Sequence, residues 1–169
     1  MKSKVLIFGK SHKETEIVPL SIDGSPIEYV SQWKYLGVTL VSGTRLSFSA
    51  RPDLTSFFRA ANAILNVLKE ASEDVLVKLL QSNCLPILTY ACEVKEYSAS
   101  EMSDCNVAVN NAFRKIFGFR DWRSIRVLRD NFNIESIYIS FKRAKDKFMS
   151  LTCHHPNPII KYLSSFTNS

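Results

Sequence analysis

The chain has 169 residues, 46% of them hydrophobic, with 22 Lys and Arg against 16 Asp and Glu for a formal net charge of +6. Five glycines and six prolines, spread along an apolar-rich sequence, exclude a disordered or fibrous chain. No apolar run approaches the ~18 residues of a membrane span, so no membrane role is expected.

The first apolar run, Val5 to Phe8 in "MKSKVLIFGK", is too short for the roughly 7–15 residues of a secretory h-region. "VPLSIDGSPIEYV" alternates at Val18, Leu20 and Ile22, turns at Asp23-Gly24 and resumes at Ile27 and Tyr29, a hairpin pattern. "WKYLGVTL" reads as a further strand with Gly37 inside it, closed by Ser42-Gly43. A glycine within a strand marks a bulge or the close approach of another backbone or a ligand.

From Pro52 the period becomes helical. Leu54, Phe57, Phe58, Ala61, Ile64, Leu65 and Leu68 share one face, and Thr55, Arg59, Asn62, Asn66 and Lys69 lie opposite. Ser72 with Glu73-Asp74 has the form of an N-terminal cap, and Pro86 should kink or split the helix it opens. A third helix is expected over about Glu101–Phe117, ending at Gly118, and Asp121 suits the cap of a short fourth. Ile137, Phe141, Ala144, Phe148 and Leu151 define the stripe of the last one. The expected fold is therefore α+β: short antiparallel β-hairpins over 1–44, a helical bundle over 45–152 and a tail over 153–169.

Charge is uneven along this order. Residues 110–147 hold ten Lys or Arg and four Asp or Glu, while the rest holds twelve of each. A basic stripe of this kind is the footprint of a nucleic-acid binder, or else a solvated helix surface. Cys84, Cys92, Cys105 and Cys153 include no C-x-x-C pair. With no export signal they read as reduced thiols of an intracellular protein, cytoplasmic or nuclear. Their spacing, even with His154-His155, does not give the paired four-ligand pattern of a zinc site. "FGKS" lacks the spacing of a phosphate loop.

Four blocks, in order, resemble the downstream end of a reverse transcriptase from a non-LTR retrotransposon of the long interspersed (LINE) type. "KSKVLIFG" resembles the palm-closing strand, and "WKYLGVTL" the primer-grip hairpin with its aromatic before Tyr-Leu-Gly. "NCLPILTYACE" is similar to the thumb block P-[IV]-L-x-Y-[GA]-x-E, and "NNAFRKIFG", "SIRVLRDNFNI" and "FKRAKDKF" to the basic helices after it. The chain departs from the pattern at Val94-Lys95, where an aromatic is common, and it starts within the palm-closing block.

The resemblance implies primer-grip strands followed by a thumb-like bundle that binds an RNA or DNA template–primer duplex beside the remaining palm and fingers. Tyr35, Leu36 and Gly37 would face the primer end, Gly37 leaving room for the primer backbone, so that the fold itself should tolerate Ala there. Arg114, Lys115, Arg120, Arg123, Arg126 and Arg129 would contact phosphates, with Lys142, Arg143 and Lys145 as a second row. Two-metal nucleotidyl transfer needs carboxylates that hold the ions, and no Asp-Asp pair occurs in the chain. Mg²⁺ is thus expected only in an intact enzyme with its palm; this chain alone should not polymerise. The alternatives are an inactive retrotransposon remnant that is merely structural, or one that serves as a protein-interaction domain.

Overall fold

The computed structural model describes residues 3–10, 18–119 and 125–160, and it is a mixed α+β fold. Seven short strands, β1 (Lys4–Val5), β2 (Ser21–Ile22), β3 (Ser25–Pro26), β4 (Glu28–Tyr29), β5 (Gln32–Tyr35), β6 (Val38–Val41) and β7 (Ser47–Phe48), precede the helices among the described residues. β2 and β3 form the expected antiparallel hairpin, with Asp23 and Gly24 at φ 50° and 76° in its turn. β1 instead runs parallel to β4, where Lys4 pairs with Glu28, so the first strand is not part of a hairpin. The strand region also extends past residue 44, because β7 pairs with β6 as the third strand of the largest sheet.

That sheet corrects the reading of "WKYLGVTL". It is not one strand but two, β5 and β6, joined by a two-residue turn at Leu36-Gly37 with φ 45° and 80°. Positive φ at both central residues is the type I′ pattern, whose twist matches the flanking strands. Gly37 adopts it without strain; Leu36, 74% exposed at the tip, does not. The register puts Trp33, Tyr35, Val38, Leu40 and Phe48 on one face, buried or half-buried except Tyr35 at 61% exposed, and Lys34, Thr39 and Ser47 on the other.

The helices are α1 (Arg51–Val67), α2 (Glu73–Leu79), α3 (Leu85–Thr89), α4 (Ala99–Phe117), α5 (Ile125–Asn131) and α6 (Ile137–Cys153). Pro52 sits in the first turn of α1, where no partner for its nitrogen is missed. The α-helix is interrupted ahead of Pro86, as a split there was expected, but by a π-helical stretch, Leu80–Cys84, that links α2 to α3. The wider turn gives the proline ring the space an α-turn would deny. Ser98 and Glu101 cap α4 reciprocally, and Gly118 ends it at φ 66°. Ser72 is the N-cap of α2, but its side chain makes no capping bond. Asp121 lies outside the described residues.

Phe57 and Ala61 of α1, Val77 of α2, Leu88 of α3, Ala108, Val109 and Phe113 of α4, and Ile137 and Phe141 of α6 meet in the core. Alanines opposite phenylalanines let the helices approach while the rings fill the space between them. The stripe on α6 is covered only at its start: Phe148 is 39% and Leu151 61% exposed.

Cys84, Cys92 and Cys105 are buried, and burial pushes all three thiols up, Cys105 to about 11 with Asp53, Asp104 and Glu101 adding to the rise. A thiol whose folded value exceeds its unfolded one keeps its proton longer in the native state. Its contribution is intact below pH 9 and is lost as pH climbs from 9.0 toward 11. Stability is therefore expected to fall across that interval in urea melts, and a flat profile would contradict the burial. At pH 8 a thiol reagent should label half-buried Cys153 well before the other three.

Candidate nucleic-acid interface

The hairpin tip meets the bundle at Tyr90. A Cβ placed on Gly37 would lie 2.8 Å from Cε1 of Tyr90, and the Tyr90 hydroxyl donates to the Leu36 carbonyl at 3.1 Å. The group that approaches Gly37 is thus a side chain of the same molecule, and the space read as room for a primer strand is filled. Two of the quoted blocks, "YLG" and "PILTYACE", touch there.

Gly37→Ala is accordingly expected to destabilise the chain by about 1–3 kcal/mol, reversing the tolerance expected from sequence. Gly24→Ala is the control: its φ is similar, 76°, but no atom lies within 4 Å of the added carbon. The difference between the two in denaturant melts isolates the Tyr90 contact, and equal losses would dismiss it. Leu36→Asn should raise the melting temperature, since Asn accepts a left-handed turn position that strains Leu.

The nine basic residues nominated from sequence have different fates. Arg120 and Arg123 lie outside the described residues. Arg129, 8% exposed, is part of the fold: its guanidinium donates to Asn110 Oδ1 at 2.9 Å and to the Glu135 carbonyl at 2.5 Å. It ties α4 to the loop before α6, and it is not a free phosphate contact. Burial lowers its pKa, opposed by Asp130. Arg114 donates to Asn111 at 2.7 Å and Lys115 to Asn62 at 2.9 Å. Arg143 pairs with Glu135 and Lys145 with Glu96, each at 2.7 Å. Arg126 and Lys142 are exposed and have no side-chain partner among the described residues.

A second group of exposed cations was not singled out by sequence. Residues 30–69 hold Lys34, Arg45, Arg51, Arg59 and Lys69 against a single acid, Asp53. All five cations are exposed and lack a side-chain partner among the described residues. Asp53 is withdrawn: it takes Lys95 Nζ at 2.6 Å and the Tyr97 hydroxyl at 2.7 Å. On α1, Arg51, Thr55, Arg59, Asn62 and Asn66 fall within about 80° of arc, and Asn62 holds Lys115 of α4 alongside. The signal was present but averaged out, because residues 70–109 carry seven acids against two Lys and cancel it.

Among the described residues, no group of three or more His, Cys, Asp or Glu is placed to hold a metal ion. No described helix is long and apolar enough to cross a membrane. Compared with protein-family models, curated proteins and solved structures, the chain matches none.

Proposed function

We propose that the chain binds the sugar–phosphate backbone of a nucleic-acid duplex, as the primer-grip and thumb-like part of a LINE-type reverse transcriptase, without polymerase chemistry of its own. The observation that carries this reading is the set of exposed cations over residues 30–69, none with a side-chain partner among the described residues. The one acid in that stretch, Asp53, is neutralised by Lys95; Glu101 and Asp104 of α4 line a hollow with Arg51 and offset part of the charge. Unpaired cations on the surface release counterions from a polyanion, whereas cations already paired to carboxylates contribute far less. Arg51, Arg59 and Lys115 form its centre, Lys34 and Arg45 extend it at the sheet, and Arg126 and Lys142 supply a smaller row. Contacts of this kind position a backbone and read no sequence.

The contact between Tyr90 and Gly37 joins two of the blocks that carry the resemblance but occupies the space it assigned to a primer, so the reading rests on the cations and not on Gly37. Palm and fingers remain the proposed protein partners. A second reading, a protein-interaction domain, draws on Val18, Leu20 and Ile22, which are 77%, 48% and 51% exposed around β2. Fluorescence anisotropy with a labelled duplex of mixed sequence separates the two. Salt-sensitive, sequence-independent binding is expected of the first and none of the second.

A further inference from the structure

We infer that Tyr90 and Lys95 are positioning residues, forming a latch that fixes the β5–β6 hairpin relative to the head of α1. Tyr90 follows α3 directly, and Ala91, at φ 52°, reverses the chain so that its carbonyl accepts from both Val94 N and Lys95 N. That reversal brings the Lys95 ammonium 5.7 Å from the centroids of both the Tyr90 and Tyr97 rings. Lys95 is 3% exposed, and Asp53 in the first turn of α1 anchors it. The cation stabilises the ring face it meets, the ring fills the space above Gly37, and its hydroxyl holds the Leu36 carbonyl. A continuous path therefore runs from the hairpin tip through Tyr90 and Lys95 to Asp53, two residues from Arg51.

Strain is concentrated along the same path. Of four non-glycine residues with positive φ among the described residues, Leu36 and Ala91 flank this contact. Such strained conformations persist where the surroundings over-determine them. The hairpin carries Lys34 and the head of α1 carries Arg51, so the latch sets the distance between two parts of the proposed interface. This functional consequence rests on the duplex-binding reading; the latch itself does not.

The test uses Tyr90→Ala, which removes a side chain that is already 54% exposed and so spares the core. Backbone hydrogen exchange is the first readout. Amides of β5 and β6 should exchange about ten-fold faster or more, while those of α4 keep their rates, as expected for local opening. Unchanged hairpin rates would overturn the latch whatever the chain binds. Duplex affinity in a double-mutant cycle with Lys34→Ala is the second readout. In the parent, Lys34→Ala should weaken binding about three-fold or more; with Tyr90→Ala already present it should have no further effect. Independent, additive losses would overturn the positioning role. Failure of the parent to bind any duplex would sink the proposed function instead, and the exchange rates would still decide the latch.

Discussion

Lys95→Met should destabilise the chain by about 3–5 kcal/mol, the usual cost of removing one partner from a buried ion pair. The Lys95 side chain is 1% exposed and that of Asp53 17%, so the carboxylate left behind would keep only the Tyr97 hydroxyl. Burial, the hydrogen bond to Asp53 and the Asp53 charge all raise the Tyr97 pKa, so this phenol stays protonated and can donate but cannot neutralise. Asp53→Asn combined with Lys95→Met removes both charges and should recover much of the loss, because an uncharged pair leaves no uncompensated ion. Urea midpoints at constant slope measure both effects. A Lys95→Met chain within about 1 kcal/mol of the parent would show that the pair is effectively solvated, contrary to its burial.

The same pair shows where sequence reading reaches its limit. Local punctuation was readable: Asp23-Gly24 turns a hairpin, Pro52 opens α1 and Gly118 ends α4, although the Ser98–Glu101 capping box that starts α4 was not read. Each is a backbone requirement met by residues a few positions apart. Lys95 and Asp53 are 42 residues apart, and Tyr90 reaches across 54 residues to Leu36. No periodicity reports contacts of that span. A buried lysine needs a partner, but that need becomes visible only once Lys95 is seen to be buried.

The residue pattern alone reads as one strand interrupted by a glycine, because Leu is a poor residue for positive φ, whereas the hairpin shape implied by the resemblance is present, with the turn at Leu36-Gly37. Arg129 carried a clearer signal that charge counting obscured. It lies four residues after buried Ile125 and three before half-buried Phe132, on the side of α5 that meets the core. Reversing Arg129 with its neighbours would therefore test folding more than binding, which makes the exposed cations of α1 the better probe.

Those cations give the second large effect. Arg51→Glu with Arg59→Glu should weaken duplex binding by about 100-fold or more at low salt, through two lost charge-assisted contacts and the repulsion put in their place. Both side chains are exposed on the polar side of α1, so the melting curve should move little. Lys145→Gln is the matched control. Lys145 already pairs with Glu96 at 2.7 Å, and its loss should change affinity by less than about three-fold.

The most direct measurement is therefore an anisotropy titration of a fluorescent duplex with the parent and with the Arg51→Glu/Arg59→Glu chain, repeated from low to physiological salt. For the parent, the logarithm of affinity should fall linearly with the logarithm of salt concentration, with a slope of several units at roughly −0.9 per neutralised phosphate. The reversed chain should bind far more weakly and with a shallower slope. Parent and reversed chain binding alike, or neither binding at low salt, would contradict a duplex-binding surface built on α1.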